Sequence, residues 1–360
     1  MTSNLPSAPD LPLAAPERRL LLPQAPTDLS PDAVPAWAAQ QRAQTGAAVC
    51  VLHPPATGGA PLHWLDTTHA RGWIQVPARH PAPVDAAALS HHWQDAHDAG
   101  FVGADAVLLA CKRQYGELPR LSWGEAPVFA DPRVHTSQRL DLYAIADHAS
   151  RLQAAIDAGV RTVQLRIKRP GQVDAAWYVH LREELARGIK AARTAGGQCF
   201  INDHWRLAAE LGADAVHLGQ EDLIALGEEG RHQLLASGVA LGISSHSVWE
   251  LCRARALSPR YIACGPVWPT TTKDMPWVPQ GLGNLAWWCQ QAGAPVVAIG
   301  GILSPERARE AAAAGADGIC LVRALGDTPA QVLPAFEAAL AQGRCDAPEV
   351  APDRPHPSLP

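Results

Sequence analysis

Polar clusters recur along the second half of this 360-residue sequence, each just beyond a short apolar run: Gln164-Leu165-Arg166-Ile167-Lys168, Asn202-Asp203, Gln220-Glu221-Asp222, Ser244-Ser245-His246, Thr270-Thr271-Thr272-Lys273, Gly300-Gly301 and Val322-Arg323. They supply carboxylates, cations, hydroxyls and amides but no evident pairing of nucleophile and base. Such groups grip anions and stabilise charge on a leaving group. Asp203 and Asp222 follow successive apolar runs, so both carboxylates can face one hard cation bound to phosphate oxygens, and magnesium is the expected ion. Taken singly, an aspartate at a strand end is more often a helix cap; the pairing argues for the metal.

Gln164, Arg166 and Lys168 alternate along one apolar run and so share a face. Three inward polar side chains are costly in a packed core unless they meet a ligand. Lys273 ends a Pro-Thr-Thr-Thr-Lys loop in which hydroxyls and amides can surround an anion beside an ammonium. Gly300-Gly301 and Val322-Arg323 occupy places where a barrel builds a phosphate site from backbone amides. Two anionic pockets imply two phosphorylated substrates.

Elements that would bring these clusters together are legible from Leu140 onward, where short apolar strands alternate with alanine-rich amphipathic helices. Strands are expected at Leu140–Ala146, Thr162–Ile167, Gln198–Ile201, Ala215–Leu218, Ala240–Ser244, Tyr261–Cys264, Pro295–Ile299 and Gly318–Val322, with helices such as Trp177–Ala195 and Pro305–Ala314 between them. Eight strands in a segment of this length fit a (β/α)8 TIM barrel, whose strand C-termini converge on one mouth. A doubly wound open sheet shares the alternation, but no GxGxxG opens a helix after the first strand. Glycine turns at Gly159, Gly212 and Gly315 are expected to cap helices at the opposite end.

Two domains are expected from the length. The net charge of −5, without blocks of like charge, suggests neither nucleic acid nor an anionic membrane surface as partner. No 18-residue apolar run and no signal-peptide pattern appear, so the expectation is a soluble cytoplasmic protein. The eight cysteines show no CxxC spacing and read as buried reduced thiols. Proline-rich residues 1–35 and 346–360 read as flexible tails. Residues 36–135 form an N-terminal accessory region of uncertain α/β fold, in which His91, His92 and His97 are scattered surface residues rather than a metal cluster, and residues 136–345 form the barrel.

From about Leu140 to Leu325 the sequence resembles the thiamine phosphate synthase family. The motifs are Val-Gln-Leu-Arg-Ile-Lys, Ile-Asn-Asp-His, Val-His-Leu-Gly-Gln-Glu-Asp-Leu, Leu-Gly-Ile-Ser-Ser-His, Gly-Pro-Val-Trp-Pro-Thr-Thr-Thr-Lys and Ala-Ile-Gly-Gly-Ile, in that order. The resemblance implies that hydroxymethylpyrimidine diphosphate is joined to thiazole phosphate, or its carboxylated form, by a magnesium-assisted dissociative substitution. It further implies that Gln164, Arg166, Lys168, Asn202, Ser244 and Lys273 hold the pyrimidine diphosphate, Arg166, Lys168, Ser244 and Lys273 being the catalytic groups. By the same resemblance, Asp203 and Asp222 bind the magnesium, while Thr270, Thr272, Gly301, Val322 and Arg323 hold the thiazole phosphate. Two positions depart from the family pattern: Arg323 replaces a small hydroxyl residue, and Trp268 replaces phenylalanine or tyrosine.

Residues 47–130 look faintly like the C-terminal part of hydroxymethylpyrimidine phosphate kinase, with Ala70-Arg71-Gly72-Trp73 where that family has a glycine-rich anion loop. This implies a truncated, inactive relic that serves packing or dimerisation. Two other functions stay open on the sequence. One is a thiazole tautomerase on the same barrel, with His246 as acid/base; the other is a catalytically silent binding protein of the pathway. A homo-oligomer is also left open.

Overall fold

Strand propensity and burial coincide in the first third of the chain, where the run Ala48–Leu52 is buried at every position. The computed structural model describes residues 17–24, 26, 29–52, 62–77, 84–133, 138–271 and 276–360. It divides into two units, Met1–Val128 with Glu221–Gly227, and Phe129–Gln220 with Glu228–Pro360.

In the N-terminal unit, strand β1 (Leu20–Leu21) is followed by helix α1 (Val34–Thr45), strands β2 (Ala48–Leu52), β3 (Leu62–Asp66) and β4 (Arg71–Gln75), helices α2 (Ala86–Asp98) and α3 (Gly103–Tyr115), and strand β5 (Arg120–Leu121). The five strands form one sheet in sequential order, parallel between β1 and β2 and antiparallel beyond. Trp64 and Trp73, paired across β3 and β4, meet edge to face at 5.3 Å. Helix α3 is buried at every position from Gly103 through Cys111.

Two expectations are corrected in this unit. Residues 1–35 are not all tail: β1 pairs with β2, and the buried Glu17 carboxylate accepts from the Thr68 amide at 2.7 Å and its hydroxyl at 3.0 Å. Ala70-Arg71-Gly72-Trp73, which stands where the kinase family has a glycine-rich anion loop, forms no such loop. Thr67 and Ala70 close a tight β3–β4 turn, and Arg71, Gly72 and Trp73 continue as strand, paired with Asp66, Leu65 and Trp64 in that order.

The second unit carries the alternation that the sequence suggests. Its elements are β6 (Asp141–Ala146), α4 (Ala149–Asp157), β7 (Thr162–Leu165), α5 (Ala175–Thr194), β8 (Gln198–Asn202), α6 (Trp205–Glu210) and β9 (Ala215–Leu218). Helices α7 (Gln220–Ala225) and α8 (Gly227–Ala236) follow, α7 grouping with the N-terminal unit from Glu221. The rest are β10 (Ala240–Ser245), α9 (Val248–Ala256), β11 (Tyr261–Cys264), α10 (Gly281–Gln291), β12 (Val296–Ala298), α11 (Pro305–Ala313), β13 (Gly318–Leu321) and α12 (Pro329–Cys345).

The eight strands β6 to β13 are all parallel and close into a barrel, β13 pairing back onto β6. Leu140, Tyr143, Phe200, Ala215, Tyr261, Ala263, Val297 and Cys320 fill its interior. Side-chain caps fix several helix starts at the strand exits, among them Asp174 on the Trp177 amide and Ser247 on the Glu250 amide. The turn glycines 159, 212 and 315 all adopt positive φ, as the helix-cap reading requires. Six of the eight cysteines are buried, as expected; Cys289 is half-buried and Cys345 exposed.

The C-terminal proline-rich segment is also no free tail. Asp346 pairs with Arg309 at 2.7 Å, and the Glu349 amide donates to the Ala313 carbonyl. His356 exchanges backbone hydrogen bonds with the Asn284 side chain, its ring Nε2 lies 2.9 Å from the Gln280 carbonyl oxygen, and the Val278 amide donates to Ser358. Prolines prevent a helix here, but the Asn284 side chain of α10 satisfies both backbone groups of His356 in place of a ladder. Among the described residues no helix is long and apolar enough to cross a membrane.

Candidate active site

The strand exits position the clusters unequally. On β7, Gln164 is 2% exposed and donates from Nε2 to the Tyr143 hydroxyl on β6 at 2.9 Å. The strand ends at Leu165, two residues earlier than expected, yet the Arg166 amide still donates to the Ala146 carbonyl at 2.8 Å. Burial pushes the Cys320 thiol of β13 up, and the Arg166 guanidinium opposes that shift. The charge of Arg166 is therefore felt inside the barrel, in phase with Gln164, whereas Lys168 is exposed on the loop beyond.

At the β8 exit, Asn202 is buried and Asp203 takes a left-handed φ of 62°, a conformation that aspartate and asparagine tolerate better than most residues. The Asp203 amide donates to the His217 carbonyl, and His204 and Trp205 turn back onto Asn202 and Asp203. His204 Nε2 lies 3.0 Å from the Ile167 carbonyl oxygen, which ties this turn to the segment carrying Arg166 and Lys168. Asp222 stands in the first turn of α7, four positions beyond the end of β9.

On β10, Ser244 is half-buried with its Oγ 3.0 Å from His217 Nε2. Gln220, 4% exposed, donates to the Ser244 carbonyl at 2.8 Å. His246 is held on two sides: Glu250 Oε2 accepts from its amide and lies 2.8 Å from its Nδ1, and Trp277 stacks on the ring at 5.2 Å.

The β11, β12 and β13 exits form a second cluster. Trp268 bonds from its amide to the Gly300 carbonyl, and Gly300 and Gly301 adopt φ of 94° and 73°. A Cβ on Gly300 would lie 2.6 Å from Pro266, and one on Gly301 2.6 Å from the Trp268 Cβ, so neither position has room for a side chain. Arg307 Nη1 donates to the Gly301 carbonyl at 2.6 Å while its guanidinium covers the Trp268 ring at 5.3 Å. Arg323 turns toward this loop, donating to Thr271 Oγ1 at 3.2 Å. Gly301, the Thr270–Thr271 segment and Val322–Arg323 therefore share one corner, and Thr272 and Lys273 lie outside the described residues.

Arg307, His217, Tyr143 and Tyr261 were not among the sequence candidates. His217 is legible as a polar residue inside an otherwise apolar strand, whereas Tyr143 and Tyr261 read as ordinary aromatic strand residues. Arg307, on a helix rather than at a strand exit, had no such signal.

No group of three or more His, Cys, Asp or Glu side chains assembles for a metal among the described residues. Asp203, at the β8 exit, offers oxygen donors only, which suits a hard cation that completes its shell with water and substrate phosphate rather than with protein ligands.

A closed parallel (β/α)8 barrel with carboxylates, cations and a glycine-built anion corner at its strand exits defines an enzyme class that works on phosphorylated small molecules. A family model described as thiamine monophosphate synthase matches residues 136–325. Thiamine-phosphate synthase of Neisseria meningitidis serogroup A is 44% identical over 202 residues, 55% of this chain and 94% of that protein. The enzyme of the same name from Rhizobium etli is 44% identical over 194 residues, 53% and 90% of the two chains. A solved thiamine phosphate pyrophosphorylase from Pyrococcus furiosus is 26% identical with a TM-score of 0.49, covering 57% of this chain and 96% of that one. The chain belongs to the thiamine monophosphate synthase family, a family of transferases, and its residues 1–135 lie outside the family match.

Proposed function

We propose that the barrel condenses 4-amino-2-methyl-5-(diphosphooxymethyl)pyrimidine with 4-methyl-5-(2-phosphoethyl)thiazole, releasing pyrophosphate. The pyrimidine-methylene C–O bond breaks with its electron pair leaving on pyrophosphate, and a C–N bond forms from the thiazole nitrogen lone pair. Arg166, Lys168, Ser244 and Lys273 stabilise the departing charge, with Gln164 and Asn202 orienting the same substrate. Thr270, Thr272, Gly301, Val322 and Arg323 hold the thiazole phosphate, so that its nitrogen faces the reacting carbon.

Asp203 and Asp222 would hold magnesium, which when bound supplies positive charge beside the diphosphate oxygens. The observation that carries the reading is the separation of two anion-compatible corners in a chain of this family: one from β7, β8 and β10, and one from β11, β12 and β13. Arg323, bonded to Thr271, adds a cation to the second corner that a small hydroxyl residue would not.

The test is formation of thiamine phosphate and pyrophosphate by the purified full chain given both substrates, with and without magnesium. Magnesium-dependent release of both products is expected. Proton exchange on the thiazole without condensation would point to a tautomerase instead, and binding without turnover to a silent pathway protein.

A further inference from the structure

A line of buried polar groups crosses the barrel interior beneath the mouth and joins two of the residues assigned to the pyrimidine substrate. Gln164 Nε2 is 2.9 Å from the Tyr143 hydroxyl, and that hydroxyl is 2.9 Å from the hydroxyl of Tyr261. Tyr261 in turn is 2.6 Å from His217 Nδ1, and His217 Nε2 is 3.0 Å from Ser244 Oγ. Gln164, Tyr143 and Tyr261 are at most 2% exposed and His217 is 9% exposed. The His217 ring stacks on Tyr261 at 5.7 Å and 15°, so the imidazole plane is fixed as well as its bonds.

The proton order along this line follows from the donor at its start. An amide nitrogen can only donate, so Tyr143 accepts from Gln164 and must spend its single proton on Tyr261. Tyr261 then donates to His217 Nδ1. An imidazole that accepts at Nδ1 carries its proton at Nε2, and that proton goes to Ser244 Oγ. Burial pushes both phenols well above their usual range, which keeps each one a donor.

With its oxygen already accepting from His217, Ser244 keeps its own proton for another partner. The reverse order would pull that proton inward onto His217 and leave only lone pairs toward the mouth, which repel an anion.

We propose that His217, held as the Nε2–H tautomer by the Gln164–Tyr143–Tyr261 line, is a positioning residue that turns the Ser244 hydroxyl into a donor toward the diphosphate of the pyrimidine substrate. The inference rests on the assignment of Ser244 to that substrate. His217 acts through Ser244 and moves no proton in the reaction, so bonds and charges balance as in the condensation itself.

The direct test is nitrogen NMR of the 15N-histidine-labelled full chain without substrate, with His217 assigned through its contact to the Tyr261 ring. A neutral ring protonated at Nε2 is expected; a ring protonated at Nδ1, or at both nitrogens, overturns the proposal. Kinetics give a second, independent reading. Tyr261→Phe keeps the stacked ring but removes the donor to Nδ1, and is expected to lower kcat/KM for the pyrimidine diphosphate by about 5- to 10-fold, the range of one lost hydrogen bond. In a Ser244→Ala background the same replacement should have no further effect, and an equal loss in both backgrounds overturns the coupling. Ser244→Ala with unchanged kcat/KM would instead overturn the diphosphate reading, whatever tautomer the spectrum shows.

Discussion

Buried polar groups are arranged differently in the two units. In the N-terminal unit they close on one another: Asp66, fully buried, accepts from Arg42 Nε at 2.6 Å and from Arg71 Nε at 2.8 Å, and Ser122 accepts from the Trp73 amide while donating to the Gly124 carbonyl. In the barrel they form a line that runs from Gln164 to Ser244 and ends at a half-buried hydroxyl on a strand exit. A network whose bonds are all internal contributes to stability. One that ends at an opening has bonding capacity left for a ligand, so its loss should be read in kinetics before it is read in melting.

The strongest test of that contrast lies at the β8 exit. Asp203→Asn keeps a residue that tolerates the left-handed backbone but removes the negative charge. Losing one preorganised electrostatic contribution of this kind is expected to lower kcat by roughly 10²- to 10³-fold while leaving the melting temperature in place. Asp222→Asn should behave the same way. Near-normal turnover in both variants would remove the metal role from these carboxylates, and a large fall in melting temperature would mean that the β8 exit is structural after all.

The opposite signature is expected for Asp66→Ala. It leaves two guanidinium groups, each roughly a third or more exposed, without their shared carboxylate. Because water reaches both arginines, the cost should be about 1–3 kcal/mol of unfolding free energy and well short of that for a fully buried pair. Chemical denaturation measures it, and kcat/KM under folded conditions is expected at the wild-type level. An activity loss without a stability loss would break the contrast between closed and open networks.

Legibility from the sequence followed the same division. Alternation of strands and helices is a period that chemistry does not disturb, so every barrel strand was placed within two residues; β7 was read too long because Arg166 and Ile167 continue its pattern past the last paired position. Clusters at the exits were legible because several polar residues together are improbable in a packed core. The interior line was not, since Tyr143 and Tyr261 read as ordinary aromatic strand residues and their hydroxyl partners come from strands far apart in sequence. Residues 346–360 misled for a different reason. Proline content predicts the absence of regular structure, and it says nothing about backbone groups satisfied by side chains elsewhere, as Asn284 satisfies His356.

That C-terminal segment is where the contrast is easiest to probe at small cost, because a closed network there sits in the barrel unit itself. Gln280 and Asn284 are at most 1% exposed, and His356 bonds to both, while Gln280 Nε2 donates to the His246 carbonyl at 2.8 Å. His356→Ala removes the ring contact to the Gln280 carbonyl but keeps the backbone bonds to Asn284, so about 1 kcal/mol of stability should be lost, a shift of roughly 2–4 °C in the Tm of a unit the size of the barrel. If the network is of the closed kind, kcat/KM stays unchanged. If it falls as well, the loss reaches the mouth through Gln280 and the His246 carbonyl, and the C-terminal strap belongs with the line that ends at Ser244.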